Sequence, residues 1–163
     1  REGSKPTETM LRIAIDPGQS GGIAWAETPG RPACIPMPDT LHDIVEVIAR
    51  ISGPALCAPK GVTAYIEQVP KFVRAIPGSA VAVMFRNYGI LLGACAALGL
   101  RIVEIPPQKW QKALGLGTSA GMTRTQWKNK LKGKAQALSP GTRVTLATSD
   151  ALLILQADFL LEP

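Results

Sequence analysis

Residues 11–25 read Leu-Arg-Ile-Ala-Ile-Asp-Pro-Gly-Gln-Ser-Gly-Gly-Ile-Ala-Trp, and this stretch constrains the fold more than any other. An apolar run ends on a single carboxylate, Asp16. A turn follows, in which Pro17 sets φ and Gly18, Gly21 and Gly22 can take φ > 0. A second apolar run, residues 23–26, comes at hairpin spacing, so the chain is expected to open on two antiparallel strands. A carboxylate in an apolar strand costs several kcal/mol if it is buried without a partner. Facing a metal ion or a phosphate removes that cost. So does capping its own turn, as an Asp before Pro-Gly commonly does. Both readings of Asp16 stand on the local sequence.

The 163 residues suit one domain with a substantial core. Apolar residues make up 46 % of them, which argues against a disordered chain. Eighteen Lys and Arg against twelve Asp and Glu give a net charge of +6, which suits a polyanionic partner. Cys34, Cys57 and Cys95 form no CxxC or other metal-ligand pattern and read as buried thiols in a reducing compartment. No run approaches the ~18 apolar residues of a membrane span, and no signal peptide is visible. Residues 1–10 read as a flexible tail or a cloning remnant, with Met10 as the native start. Residues 11–163 read as the single domain.

Residues 11–16 and 22–27 are expected to pair as strands, with residues 33–37 as a third whose flanking prolines suit an edge. Leu41, Ile44, Val45, Ile48 and Ile51 recur at helical spacing, with Asp39 or Thr40 as N-cap. Residues 62–67 read as a buried strand that again ends on a carboxylate. Residues 79–98 form a long apolar helix rich in Ala and Gly, with Gly99 as its stop. Met84, Tyr88, Leu91, Leu92 and Cys95 fall at helical spacings on it, a core pattern. Residues 101–105 are a strand. Pro106-Pro107 opens a short helix through Trp110 to Leu114, and residues 115–121 are a loop. Residues 123–138 are strongly basic. Residues 149–161 are a last apolar helix, with Ser149 as candidate cap. There is no internal repeat, and this order suits an α/β layer protein with right-handed crossovers.

Among the twelve acidic residues, three carry chemistry. Asp16 and Glu67 end apolar strands, and Asp150 heads the last helix. Two parallel strands ending at one sheet edge bring Asp16 and Glu67 together, and a helix start docked there adds Asp150. Carboxylates so gathered repel one another unless cations bind between them. Mg²⁺ prefers carboxylate and water oxygens, and paired ions can hold the attacking and leaving oxygens of a phosphodiester. Each acid also has a bland alternative. Asp150 can cap its helix or favour its dipole, and Glu67 can pair with Lys71 or Arg74.

Ile15-Asp16-Pro17-Gly18, Ile66-Glu67-Gln68-Val69, the long helix over 79–98 and Asp150-Ala151-Leu152 stand in an order and spacing that resembles the RuvC family of Holliday-junction resolvases. The resemblance runs from about Leu11 to Leu155. It implies an RNase H-like fold, with a mixed five-stranded sheet flanked by helices. It implies that Asp16, Glu67 and Asp150 bind Mg²⁺, with Mn²⁺ as substitute, for hydrolysis that leaves a 5′-phosphate. It also implies a homodimer, formed through the long helix, that nicks two opposed strands of a four-way DNA junction. A bacterial or phage-infected cytoplasm or an organelle matrix would suit it, with no membrane partner and no nucleotide cofactor. One departure stands out. The family carries a fourth acid or a histidine three residues before the Asp of Asp-Ala-Leu, and here that position is Ala147. Thr145, Thr148 and Ser149 offer hydroxyls nearby, and Asp158 lies about 12 Å along the helix, too far to share an ion. Either one metal site is weakened, or another residue supplies it, or the protein binds junctions without cutting them well.

Lys109, Lys112, Arg124, Lys128, Lys130, Lys132 and Lys134 fall within 26 residues with no acid among them, the composition of a phosphate footprint or of a solvated helix face. By the resemblance, Lys109 and Lys112 are the candidates for steadying charge at the scissile phosphate. Phe72, with Lys71 and Arg74, lies where the family carries an aromatic that meets the junction centre; packing under the loop is its rival. Trp110 and Trp127 are expected in the core, with base stacking as the alternative. The sole histidine, His42, has no metal partner of its own kind. Two further readings compete. Actin-like ATPases open on a similar hairpin, but need two such domains and a second glycine-rich phosphate loop. YqgF-like nucleases share Asp-Pro-Gly but fit the long helix and the Asp-Ala-Leu ending less well. A branched-DNA-binding module with weakened catalysis is the alternative function.

Overall fold

The computed structural model describes residues 10–53, 61–69 and 77–161. Lys71, Phe72, Arg74 and Cys57 lie outside the described residues, as do residues 1–9. Five strands form one sheet: β1 (Leu11–Asp16), β2 (Gly22–Ala26), β3 (Ala33–Pro36), β4 (Val62–Glu67) and β5 (Arg101–Ile105). Their order is β3-β2-β1-β4-β5, so the proline-flanked β3 is an edge strand as its sequence suggests. β1 pairs antiparallel with β2 and parallel with β4, and β4 pairs parallel with β5. Five helices flank the sheet among the described residues: α1 (Leu41–Ser52), α2 (Gly78–Ala97), α3 (Pro107–Ala113), α4 (Arg124–Leu138) and α5 (Ser149–Leu161). The expected α/β architecture is observed.

Strand alternation sorts the side chains into two cores. Ile13, Ile15, Ala64 and Ile66 pack with Ile44 and Ile48 of α1 and Tyr88, Leu91 and Cys95 of α2. Ala14 and Tyr65 point the other way, toward Trp110, Leu131 and the apolar run of α5. α5 is buried along nearly its whole length, and Leu152, Leu153 and Leu155 are fully covered. A helix apolar all round must lie inside, and truncating any of these leucines to Ala costs about 2–5 kcal/mol.

α2 contrasts with α5. Its sheet-facing side is fixed by Tyr88, Leu91 and Cys95, and the Tyr88 hydroxyl donates to Glu104 of β5. Its other side leaves Val83 and Phe85 exposed. Against the expectation from the sequence, α2 meets the length and composition of a membrane span, yet Arg86 sits mid-helix. An arginine at a bilayer centre costs about 2.5–3.5 kcal/mol.

The turn after Asp16 also corrects an expectation. None of Gly18, Gly21 and Gly22 takes positive φ. Gly21 is required by close approach instead, because a Cβ there would lie 2.3 Å from the Asp16 carbonyl oxygen and 2.7 Å from the Asp16 carboxyl carbon. The turn folds so tightly over Asp16 that only a hydrogen fits.

Candidate active site

Because β1 and β4 run parallel, their C-terminal ends share one edge. Ile15 stands opposite Ile66, which puts Asp16 and Glu67 side by side just beyond. Two-residue periodicity aims both toward α5, since Asp16 follows the parity of Ala14 and Glu67 that of Tyr65. The first turn of α5 reaches the same edge and adds Asp150. The three carboxylates read from the sequence are thus brought together: Glu67 feels the charges of Asp16 and Asp150, and Asp16 that of Asp150.

Other groups hold them in place. Asp16 Oδ1 accepts from Gly18 N–H at 3.1 Å, so it caps its own turn as well as facing the cluster. Glu67 Oε2 accepts from the Trp110 indole N–H at 3.0 Å. Trp110 is 1 % exposed, as expected of a core residue, yet its one polar atom serves the site. It reaches Glu67 because β5 ends beside β4 and Pro106-Pro107 turns the chain directly into α3. Asp150 Oδ1 accepts from Ser149 Oγ at 3.0 Å, and its Oδ2 meets Lys128 Nζ at 2.5 Å.

The electrostatics are those of too much negative charge in too little water. Burial pushes the Glu67 carboxyl up to about 8, and the charges of Asp16 and Asp150 add to it. The Trp110 N–H and Lys128 only partly oppose them. Asp16 is raised by burial and by Asp150, against the Gly18 N–H and Lys128. For Lys128, burial opposes the ammonium, but its bond to Asp150 and the charges of all three acids outweigh that and raise it. Among the described residues, one ammonium serves three carboxylates.

The sequence groups Lys128 with the phosphate contacts, whereas the structure sets it against the acid cluster. A signal existed. Lys128, Leu131, Ala135 and Leu138 recur at helical spacing, and Leu131 and Ala135 are buried, so this lysine stands on the apolar face of α4. A capping box between Thr123 and Gln126 starts the helix one turn before it. Lys109 and Lys112 are exposed on α3, and neither is among the charges that act on the carboxylates. The α4 cations do not form a single stripe. At about 100° per residue, Arg124, Lys128 and Lys132 share one side, and Lys130 and Lys134 lie toward the other. Lys130 Nζ donates to the Leu116 carbonyl at 2.8 Å and lies 5.2 Å from the Trp127 ring centroid.

The start of α5 differs from expectation. Ser149 is inside the helix and does not cap it. Thr145 Oγ1 accepts from Thr148 N–H at 3.2 Å, and Thr148 Oγ1 accepts from Thr145 N–H at 3.0 Å. This reciprocal cap begins the first turn four residues before Ser149, whose hydroxyl turns to Leu146 and Asp150. The Thr145 and Thr148 hydroxyls beside Ala147 are therefore spent on capping, and that of Ser149 is engaged with Leu146 and Asp150. Ala147 itself sits where a Cβ on Gly22 would strike its carbonyl oxygen at 2.8 Å, so the turn packs directly on the strand opposite Asp16. Asp158 is paired with Arg12 at 3.1 Å, away from the cluster. His42 is exposed on α1.

A cation bound by carboxylate oxygens fits this donor set, because two of the three acids are held above their ordinary range, by burial first and then by neighbouring negative charge, which Lys128 only partly offsets. Among the described residues, no three acidic, histidine or cysteine side chains stand ready as a cage, and Lys128 occupies one oxygen of Asp150.

No protein-family model matches the chain, and no curated protein matches it in sequence. Solved structures do match. One is Thermus thermophilus RuvC in complex with a Holliday junction substrate, at TM-score 0.59 and 15 % identity, covering 93 % of each chain. Another is a Thermus thermophilus RuvC structure, at TM-score 0.53 and 16 % identity, covering 93 % of this chain and 94 % of that one. The chain is similar to RuvC over nearly its whole length and has the RuvC, RNase H-like, fold.

Proposed function

We propose that this protein is a divalent-metal-dependent endonuclease that resolves four-way DNA junctions as a homodimer. One observation carries the reading: Asp16, Glu67 and Asp150, from two parallel strands and a helix start, converge at one sheet edge with Lys128 among them. The RuvC fold supports it, as does the Holliday junction bound to the RuvC of similar fold. Asp16, Glu67 and Asp150 would hold Mg²⁺ or Mn²⁺. When bound, the metal supplies an activated water and stabilises the oxygens of an in-line displacement. The chain's own part is to orient and to neutralise. Trp110 fixes the rotamer of Glu67, and the Gly18 N–H fixes that of Asp16. Lys128, released from Asp150, pairs with a phosphate oxygen, with Lys109 and Lys112 on the approach. Arg124, Lys130, Lys132 and Lys134 contact the backbone of the arms without reading sequence.

The exposed side of α2 supports the homodimer. Of the 20 residues of this apolar helix only Tyr88, Leu91, Ala94 and Cys95 are buried within the chain. Its small residues Ala82, Gly89 and Gly93 are exposed and allow close approach of a second helix. A monomer by sedimentation at micromolar concentration would remove that element. The free thiols Cys34 and Cys95 suit a reducing, intracellular setting.

A second reading has its own observation. Lys128 docked on Asp150, with Ala147 at the neighbouring turn, suits a protein that recognises branched DNA and cuts it weakly. One assay separates the two: a labelled four-way junction beside a linear duplex of the same sequence, with and without Mg²⁺. Paired symmetric nicks confined to the junction and to Mg²⁺ are expected. Selective binding without nicks would favour the binding module, and equal treatment of both substrates would sink both readings.

A further inference from the structure

Between α3, the loop that follows it and α4 lies a groove of about 710 Å³, of which the chemistry above uses only Lys112. Its size is that of a small-molecule site, roughly 300–1,000 Å³. Gln108, Gln111 and Lys112 of α3 form one wall, Thr118 and Ser119 of the following loop form another, and Trp127 of α4 closes it. We propose that this groove takes one unstacked nucleobase of the bound DNA, with Trp127 as the stacking platform and Gln108 and Gln111 reading the base edge. This deepens the nuclease reading and rests on it.

Position is the first argument. Both walls are tied to the site by their next residues. Trp110, beside Gln111, holds Glu67, and Lys128, beside Trp127, holds Asp150. The groove is therefore built on the same two helices, α3 and α4, whose Trp110 and Lys128 hold the carboxylates. Rigidity is the second. Lys130 links the Leu116 carbonyl to one face of the Trp127 ring, which is partly buried against the core as the sequence leads one to expect and still lines the groove, and Gly115 and Gly117 turn the loop at φ 63° and 71°, where other residues are strained. The groove is a formed feature of the fold.

Chemistry is the third. Between Glu104 and Asp150 the chain has no acidic residue, so the walls of the groove carry no negative charge of their own. The lining is mostly neutral, however. A site for phosphate alone would be walled with cations. Two amides and two hydroxyls each both donate and accept, which suits the mixed edge of a base, and an indole suits its flat face. Taking a base out of the stack costs least where the duplex is already interrupted, as it is where strands exchange in a four-way junction.

The test uses the full chain in chelator, so that binding is read without cutting. Four-way junctions are made with a single abasic site stepped through positions around the exchange point. Trp127→Ala is expected to weaken binding of the intact junction about 10-fold. One abasic position should weaken the wild type by a similar factor and abolish the difference between wild type and variant. Trp127→Phe, which keeps a ring, should retain most of the affinity. If Trp127→Ala loses the same factor on every abasic junction, the ring meets no base and the inference falls. Gln108→Ala and Gln111→Ala guard against a misfolded Trp127→Ala, because each should change the preference among the four bases at that one position; unchanged preference in both would also overturn the proposal. Failure of the wild type to bind junctions would overturn the nuclease reading itself, a different result from junction binding that no abasic site affects.

Discussion

β1 and α5 meet at two places, and the two ends of that seam are built differently. At one end Arg12 and Asp158 pair at 3.1 Å, with Arg12 also 4.4 Å from the Phe159 ring centroid. At the other, Asp16, Asp150 and the neighbouring Glu67 share Lys128. The spacing is the same along both elements: four residues of strand cover about 13 Å and eight of helix about 12 Å. Equal numbers of opposite charges at the first end make a buried strut. Among the described residues the second end has an excess of acid, which Lys128 alone only partly offsets. Packing tolerates both, and only the unbalanced end has chemistry to offer.

The largest break in this comparison is expected from Asp16→Asn. Junction cleavage should fall by about 10³-fold or more, roughly 4 kcal/mol of barrier. Junction affinity should hold within a few fold, and the metal-free protein should melt no lower, since a repulsion has been removed. A variant that cuts as fast as wild type would end the metal-ligand role of Asp16. At the opposite end, Asp158→Asn should have the reverse profile. Taking the carboxylate from a buried guanidinium costs about 3 kcal/mol in urea unfolding. Cleavage by the fraction that stays folded should be unchanged.

The contrast sharpens with pH. The folded Glu67 carboxyl stands at about 8 against an ordinary 4.5. Between those values the folded state keeps a proton that the unfolded state gives up. Metal-free stability should therefore be complete below about pH 4.5 and fall as pH rises toward 8, by at most about 1.4 kcal/mol per pH unit. Glu67→Gln should flatten that slope, and Mg²⁺ should restore stability at pH 8. A stability that rises across the window would contradict the acid cluster. The smallest effect is expected from Trp110→Phe. It keeps the ring in the core but deletes the N–H that holds the Glu67 titration down. Stability should drop by about 1 kcal/mol, and the Glu67 midpoint, followed by carboxyl NMR, should move above 8.

Much of this was legible before any coordinates. The hairpin, the helix over Leu41, the strands ending on Asp16 and Glu67, and the buried last helix follow from apolar periodicity and turn residues. Those signals are local, and local geometry obeys them. The misses share another cause. Gly21 was read for its dihedral freedom, but it is needed because the turn closes over the Asp16 carboxyl. Ser149 was read as a cap, but Thr145 and Thr148 cap each other one turn earlier. Lys128 was counted with its basic neighbours, although its spacing with Leu131 and Ala135 set it apart. Each of these depends on what another segment brings alongside.

Sequence alone determined the element types, the three acids worth watching and the basic, acid-free stretch before Asp150, because hydrophobic period and charge are written residue by residue. Tertiary structure alone decided which cation meets those acids, that Trp110 holds Glu67, and that Asp158 is engaged elsewhere. Parallel pairing carries Asp16 and Glu67 to one edge, and the docking of α4 and α5 sets Lys128 against Asp150. Contacts between residues tens of positions apart arise from packing, and no local pattern encodes them.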